Sequence, residues 1–452
     1  MQGGFAWLLI SRFDTRLGVQ VLGTLLLCCW PVFIERTFRH VALSCQWLVL
    51  WALYLYFVSR ASGRLPWFSF LVLFCVVPGV HAYFLPMAFA LLCAAVLENV
   101  LRTRRFWRGA GLVCLCMGAC LAVARGLGVI MPNMRTDGDG YGGYSMNLNA
   151  IFNPSSMDLY ADSGRQGWSL LLPQLSQMPH QYDGFNYWGL GVLAALVCMG
   201  GYGIYCLCSK GALRRLGRYL YNHIGLVLAC AACTLFAVSH VIYFGDTLLA
   251  TVPLPKALVL YVLATFRASG RVFWPVGYLA VLGVILFTAR RFKGRYAVAV
   301  LALVLAVQLG DMGGVLAHKA AYFRSGTLTA ATDYETEKWE ALIADTSYVY
   351  CLGNMFDYRL AAGMIRCNPS IQSDIIFFAR GNFGVVYLRY EDNNAFLRSG
   401  QAIADDVLYV ASEESVCREI LETASPQVAA WKIDKFYILG NATAARPAPD
   451  FT

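Results

Sequence analysis

The sequence predicts an α-helical polytopic membrane protein that carries an α/β domain at its C-terminal end. Three observations lead to this fold class. First, 58% of the 452 residues are hydrophobic and only 14% are charged, whereas soluble domains carry about 25% charged residues. Second, apolar runs of membrane-spanning length recur along the chain. Third, charged residues become more frequent after about residue 320.

Nine apolar segments match or approach the length of a membrane-spanning helix, which needs about 20 mostly apolar residues. They cover residues 17–34, 42–58, 66–80, 83–100, 109–131, 188–208, 222–243, 272–289 and 296–313. The predicted membrane domain therefore runs from residue 1 to about residue 315. An apolar stretch at 5–10 is too short for a signal peptide. We interpret it as the tail of a helix whose beginning is missing, which predicts an N-terminally truncated chain.

Basic residues determine the predicted orientation, because Lys and Arg concentrate on the cytoplasmic side of membrane-spanning helices. Five loops together carry 16 basic residues against one acid, Asp14: SRFDTR, SRASGR, LRTRRFWR, SKGALRRLGR and RRFKGR. If these loops are cytoplasmic, the loops 132–187 and 244–271 and the C-terminal domain lie on the outer side. The positive charge then reflects topology and contact with membrane lipid, and we predict no nucleic-acid partner.

The C-terminal domain, residues 320–452, alternates short predicted helices and strands, a pattern typical of a small α/β domain. Helices are predicted over 338–345, 356–366 and 413–424, and strands over 348–352, 406–412 and 429–439. An outer location would allow a disulfide between Cys351 and Cys367. Free buried thiols are an equally good interpretation of these cysteines.

Polar residues near the membrane are the best functional candidates, because polar groups in lipid are costly and persist mainly where they have a role. Phosphate-loop, HExxH, nucleophile-elbow and dinucleotide motifs do not occur in the sequence. The predicted topology directs one set of polar residues toward the outer side: Glu35, Arg36, Arg39, His40, His81, Tyr83, Arg125, Asp183, Asn186, Arg267 and Arg271.

Arginine suits a phosphate ligand, because its planar guanidinium bonds two oxygens at once. Arg267 and Arg271 are four residues apart, so they share a face if residues 266–272 are helical. Both would then reach one diphosphate group. Arg36, Arg39 and Arg125 are further candidates for binding this substrate. The alternative is that outer arginines contact the headgroups of ordinary lipids.

Histidine, tyrosine and carboxylate side chains complete the predicted site. His40, His81 and Tyr83 would hydrogen-bond sugar hydroxyls, and Glu35 or Asp183 would serve as a carboxylate base. Asn186 belongs to the same polar segment as Asp183, QYDGFNYWG. The sequence specifies no cofactor and leaves a divalent metal open. A metal would require the loop acids Asp137, Asp139 and Asp158 to lie close to Asp183.

Five stretches of the chain resemble an uncharacterised bacterial family of multi-pass membrane proteins with a domain of unknown function. They are RTFRHVALSCQWLVLWALYLY (36–56), VHAYFLPM (80–87), GYGGYSMNLNAIFNP (140–154), QYDGFNYWGLG (181–191) and FRASGRVFWP (266–275). The architecture of that family is similar to the type C glycosyltransferases. The resemblance implies a bacterial inner-membrane protein with a periplasmic or extracellular C-terminal domain.

The resemblance also implies an activity. Type C glycosyltransferases transfer a sugar from a polyprenyl-phosphate donor to an acceptor at the outer face, so the expected partners are membrane lipid, a lipid-linked donor and a glycan or glycolipid acceptor. These enzymes carry an acid after their first span, and the position of Glu35 does not match that motif. Two alternatives therefore stay open, a non-catalytic binding or transport component for a lipid-linked glycan and an inactive truncated fragment.

Overall fold

The protein, as seen in a computed structural model, consists of two compact units. The structure describes residues 1–130, 141–155, 167–207, 212–261, 263–324, 334–353, 358–375, 383–442 and 446–451. The described residues up to Ala321 form the first unit, and those from Tyr322 onward form the second. The first is almost entirely helical, and the second combines helices with a β-sheet.

Helices, most of them apolar, build the first unit. They are α1 (Gln2–Ser11), α2 (Leu17–Cys28), α3 (Pro31–Arg39), α4 (Trp47–Ser62), α5 (Trp67–Val80), α6 (Phe84–Thr103), α7 (Phe106–Gly126), α8 (Leu190–Leu207), α9 (Ala212–Asn222), α10 (Ile224–Val238), α11 (Lys256–Tyr261), α12 (Trp274–Arg291), α13 (Arg295–Asp311) and α14 (Gly313–Arg324). A short antiparallel hairpin of β1 (Val241–Phe244) and β2 (Thr247–Thr251) interrupts this series.

Several of these helices are long and apolar enough to cross a membrane. Within the described ranges five helical segments qualify, namely α6, α7, α8, α4 together with the 3₁₀ turn Val41–Ser44 before it, and α12 together with the 3₁₀ turn Ser269–Phe273 before it. The count rises to eight if each of three bent pairs forms one span: α2 with α3, α9 with α10, and α13 with α14. The predicted number of nine is therefore not confirmed. The predicted segment that is not among these eight is 66–80, which corresponds to α5, whose 14 residues extend only about 21 Å.

The apolar side chains that favour membrane insertion also form one continuous core. Trp30, Tyr56 and Tyr278 are among the largest fully buried side chains. Helices α6 and α10 approach each other backbone to backbone, since a Cβ atom on Gly225 would lie 2.5 Å from the carbonyl oxygen of Ala94. Glycine at this position therefore permits a contact that any larger residue would prevent.

Side-chain amides organise the loop segments between α7 and α8. Asn147 Nδ2 donates to Gln181 Oε1 and to the carbonyl oxygen of Gly245, both at 2.7 Å. The amide of Gly245 donates back to Asn147 Oδ1 at 2.9 Å. Because Gly245 lies in the turn between β1 and β2, Asn147 ties the two predicted outer loops together. These buried amide bonds hold the described parts of the loops in one conformation.

The second unit contains a five-stranded mixed sheet and four described helices. The strands are β3 (Tyr348–Cys351), β4 (Gln372–Ser373), β5 (Val407–Ala411), β6 (Val428–Ile433) and β7 (Phe436–Asn441), in the order β4-β3-β5-β7-β6. Strands β4, β3 and β5 are parallel, and β5, β7 and β6 are antiparallel. The helices are α15 (Thr336–Ile343), α16 (Tyr358–Cys367), α17 (Phe383–Arg398) and α18 (Glu414–Thr423). The predicted α/β organisation is confirmed.

Three details of the second unit, one of them the unpredicted strand β4, differ from the sequence prediction. The single strand predicted over 429–439 is a hairpin of β6 and β7, because Asp434 adopts a left-handed conformation with φ of 55° and reverses the chain. Helix α17 was not predicted. The thiols of Cys351, Cys367 and Cys417 are free, which agrees with the interpretation of these cysteines as free thiols.

Candidate functional site

Asp183 lies between two arginine side chains that come from distant parts of the chain. Arg36 Nη1 lies 2.8 Å from Asp183 Oδ1, and Arg271 Nη2 lies 2.5 Å from Asp183 Oδ2. Arg36 also donates through Nη2 to the backbone oxygen of Asp183 at 2.8 Å. All three residues are buried. We call Arg36, Asp183 and Arg271 the arginine–aspartate cluster.

Three short elements bring the arginine–aspartate cluster together. Arg36 lies in α3, Asp183 in a 3₁₀ turn over Gln181–Gly184, and Arg271 in a 3₁₀ turn over Ser269–Phe273 that leads into α12. The two turns are in direct contact, since a Cβ atom on Gly270 would lie 2.5 Å from the Cα atom of Gly184. Glycine at both positions thus allows the two charged residues to meet.

Asn186 fixes the same two turns to each other. Its side-chain Nδ2 donates to the carbonyl oxygens of Gly184 and Gly270, each at 2.9 Å. Asn186 is fully buried, so these bonds form in a low-dielectric environment where they hold their geometry firmly. Asn186 therefore holds together the two turns that carry Asp183 and Arg271.

The two arginines determine the charge state of Asp183. Burial would raise the pKa of its carboxyl group, but Arg36 and Arg271 outweigh burial and hold that pKa well below its usual range. Asp183 is therefore a fixed anion at neutral pH. Two guanidinium groups against one carboxylate leave the cluster positively charged.

Tyr83 and His81 surround the Arg271 side of the cluster. The guanidinium of Arg271 lies over the Tyr83 ring, 4.6 Å from its centroid, and the Tyr83 hydroxyl accepts a hydrogen bond from the Ala268 amide at 2.8 Å. Burial, with Arg271 and His40 adding to it, lowers the pKa of His81 to about 4. His81 is therefore neutral at pH 7. Its Nδ1 accepts from the Tyr83 amide at 3.2 Å, which leaves the proton on Nε2.

Arg267 lies apart from Arg271. Residues 266–272 do not form one helix, because two 3₁₀ turns, Leu263–Phe266 and Ser269–Phe273, flank Arg267 and Ala268. Arg267 is exposed, and its guanidinium lies 5.4 Å from the centroid of the Tyr144 ring. Tyr144 in turn packs against His180, with 5.2 Å between the ring centroids. The condition for a shared helical face is thus not met, and one arginine is buried while the other is open.

The remaining predicted residues take different positions. Glu35 is fully buried beside Arg36 in α3, and His40 is exposed at the end of that helix. The side chain of Arg39 lies outside the described residues. Arg125 is exposed at the end of α7 and donates to the carbonyl oxygen of Ile130 at 3.1 Å. Arg125 therefore makes a local bond near the end of its own helix.

A divalent metal would require four acids to lie close together, and three of these four lie outside the described residues. Asp137, Asp139 and Asp158 lie in the segments 131–140 and 156–166, which the structure does not describe. Among the described residues, no group of three or more His, Cys, Asp or Glu side chains has a metal-binding arrangement.

An apolar groove between α6 and α10 adjoins the arginine–aspartate cluster. The groove has a volume of about 410 Å³, and Pro86, Phe236 and Val272 line it. Val272 directly follows Arg271 in the chain, so the groove is lined by the residue next to one member of the cluster. The sequence predicted neither the groove nor the roles of Tyr144, Gly184 and Gly270. Their only signal was the concentration of Gly and Tyr in the segments 140–154 and 181–191.

The fold is that of a largely helical protein in which several apolar helices could span a membrane, consistent with a multi-pass membrane protein, and it carries a C-terminal α/β unit. Residues 1–313 match the family model described as Domain of unknown function (DUF6311). This match covers more than half of the chain, and the protein belongs to that family. No curated protein matches the chain, and no solved structure matches it either.

Proposed function

We propose that this protein binds a lipid-linked sugar phosphate at the outer face of the bacterial inner membrane. In line with its resemblance to type C glycosyltransferases, it transfers the sugar from a polyprenyl-phosphate donor to an outer-face glycan or glycolipid. The C-terminal α/β unit is then periplasmic or extracellular and helps to bind the acceptor. The observation that carries the proposal is that neighbouring residues belong to the apolar groove and to the positively charged cluster, since Val272 lines the groove and Arg271 is bonded to Asp183.

The groove suits the hydrocarbon tail of such a ligand. Its lining includes Phe89, Leu97 and Leu228 and contains no charged side chain. The lining on α6 runs from Pro86 to Leu97, which corresponds to about 17 Å along a helix. A tail of several isoprene units would bury its apolar surface over that length.

Among the arginines of the site whose side chains the structure describes, the headgroup of the ligand would meet Arg267 first. Arg271 and Arg36 are already bonded to Asp183, whereas Arg267 is exposed and rests on Tyr144. A guanidinium stacked on an aromatic ring is held in place while its N–H groups stay directed outward. We therefore assign the phosphate contact to Arg267. We assign the sugar contacts to His81, His180 and Tyr182, since the rings of His180 and Tyr182 lie 5.2 and 6.3 Å from the Tyr144 ring on which Arg267 rests.

Arg267→Gln tests the phosphate contact. We expect it to weaken binding of a short polyprenyl-phosphate analogue by about tenfold or more, because hydrogen bonds to charged groups contribute about 1.5–3 kcal/mol. Binding would be measured by titration of the purified full chain in neutral detergent. Arg125→Gln removes another exposed arginine, at the end of α7, and should leave the affinity unchanged. Equal affinities in all three proteins would contradict the assignment of Arg267.

A non-catalytic binding or transport component is the second candidate function. It is favoured by the state of Asp183, because a carboxylate held by two arginines takes up a proton poorly and is an unsuitable general base. Glu35 is then the remaining carboxylate of the predicted site, and it is fully buried beside Arg36.

Glu35→Gln separates the two candidate functions. If the protein is a transferase and Glu35 is its base, sugar transfer from a radiolabelled polyprenyl-phosphate sugar should fall by at least about 100-fold. Affinity for the donor should change little, because Gln keeps the size of the side chain. Transfer undetectable in the unmodified protein, with donor binding intact, would favour the binding or transport component.

A further inference from the structure

Helix α9 has two chemically opposite faces. At the helical repeat of 3.6 residues per turn, one face carries leucines and the other carries arginines. The apolar face consists of Leu213, Leu216 and Leu220, and the basic face consists of Arg214, Arg215 and Arg218. The helix contains no acidic residue. Such a separation of leucine from arginine is typical of a helix that lies in a membrane interface.

Both faces of α9 are open on the surface of the first unit. Leu213 is 72% exposed, and Leu216 and Leu220 are each 44% exposed. A soluble surface helix would instead direct its leucines into the core. In a protein with membrane-spanning helices, exposed leucines are covered by lipid. The apolar face of α9 therefore fits the hydrocarbon boundary of a bilayer.

The angle between α9 and its neighbour α10 supports the same placement. The two helices meet at His223 with a bend of 79°. If α10 crosses the membrane, a helix at nearly a right angle to it runs along the membrane surface. Tyr219 and Tyr221 are exposed on α9, and tyrosine is enriched at the level of the lipid headgroups.

Polar bonds at the junction hold this angle. The Tyr56 hydroxyl lies 3.0 Å from His223 Nδ1 and donates to Glu98 Oε1 at 2.7 Å. Arg60 Nη1 lies 3.2 Å from Glu98 Oε2. Residues of α4 and α6 thereby anchor the point at which α9 turns away from α10. The orientation of α9 is therefore built into the helical core.

We propose that α9 lies in the plane of the membrane surface and binds anionic phospholipid headgroups through Arg214, Arg215 and Arg218. Three guanidinium groups on one helix face attract phosphate-bearing headgroups with a net negative charge, such as phosphatidylglycerol, over zwitterionic phosphatidylcholine. This site is separate from the groove between α6 and α10 and does not depend on the function proposed for the arginine–aspartate cluster.

The experiment compares two short-chain lipids, dioctanoyl phosphatidylglycerol and dioctanoyl phosphatidylcholine, titrated into the purified full chain in neutral detergent. We expect a preference for phosphatidylglycerol that falls by about fivefold for each arginine removed. The triple variant Arg214→Gln, Arg215→Gln, Arg218→Gln should therefore lose most of this preference. The charge-preserving variant Arg214→Lys, Arg215→Lys, Arg218→Lys should retain it, which separates loss of charge from loss of folding.

A second triple variant provides the matched control. Arg366→Gln, Lys432→Gln, Lys435→Gln removes the same charge from exposed basic residues of the second unit and should preserve the preference. Three outcomes would overturn the proposal: an unchanged preference in the α9 glutamine variant, an equal loss in the control, or displacement of the lipid by inorganic phosphate at the same concentration.

Discussion

Asp183→Asn should destabilise the first unit by about 3–5 kcal/mol, the cost typical of breaking a buried ion pair by removing one partner. The substitution leaves Arg36 and Arg271 buried without the carboxylate that each contacts. Asparagine keeps the shape of the side chain but loses its charge, so the effect reports the electrostatic contribution. The measurement is thermal unfolding of the purified full chain in detergent. Asp246→Asn, an exposed acid in the β1–β2 turn, should leave the transition unchanged.

A double variant makes this prediction specific to the charge balance. In Asp183→Asn, Arg271→Gln, one buried positive charge is removed together with the negative charge, so the double variant should be more stable than Asp183→Asn alone. Such a gain is a non-additive coupling between residues in contact. Strictly additive losses would show that Asp183 and Arg271 do not stabilise each other.

From the ion pair between Asp183 and Arg271 we also expect the stability of the protein to depend on pH. The pKa of Asp183 is lower in the folded protein than in the unfolded chain, so its contribution is complete above the ordinary aspartate pKa of about 3.9. The contribution is lost as the pH falls below that value toward the depressed folded pKa. The unmodified protein should therefore lose stability in acid more steeply than Asp183→Asn, which has no carboxylate to protonate at this position.

Gly270→Ala should disrupt the candidate site through packing alone. An alanine Cβ at this position would lie 2.5 Å from the Cα atom of Gly184 and 3.1 Å from the Met146 amide nitrogen. These are backbone atoms, so no side-chain rotation can relieve the contact. We expect a loss of about 1–3 kcal/mol in the free energy of unfolding and weaker donor binding, because Arg271 would be displaced from Asp183.

Gly283→Ala is the matched control, since a Cβ atom at Gly283 in α12 has no neighbour within 4 Å. Alanine in a helix interior should leave the protein as stable or slightly more stable, by up to about 1 kcal/mol. Thermal unfolding and donor titration on both variants give the comparison. If Gly270→Ala behaved like Gly283→Ala, the close contact between the two turns would be wrong.

The sequence predicts that Arg36, Asp183 and Arg271 face one side of the membrane, which stays a prediction, but it does not predict their pairing. Arg36 and Asp183 are 147 residues apart, and Arg271 and Asp183 are 88 residues apart. Pairing across such distances depends on how the helices pack, and composition or periodicity carries no information about it. The hypothesis of a shared Arg267 and Arg271 face used local spacing instead, and it required a helix where the chain forms two 3₁₀ turns.

Periodicity was most informative where one pattern continued over many residues. Apolar length predicted the long helices, and alternating elements predicted the α/β unit. The β1–β2 hairpin was missed because its strands span only four and five residues. The turn of the β6–β7 hairpin was missed because Asp434 supplies the left-handed conformation in a segment without Gly or Pro.

Helix α10 is fastened at both ends, and this has a consequence for the groove that it forms with α6. At one end His223 meets Tyr56, and at the other the carbonyl oxygen of Ala237 accepts from the Met146 amide at 2.8 Å and from Ser269 Oγ at 3.2 Å. The spacing of the two helices is therefore set before a ligand arrives. A groove of fixed width distinguishes hydrocarbon chains by their cross-section. We expect the thickness of a hydrocarbon chain, more than its length, to decide which lipid the protein accepts.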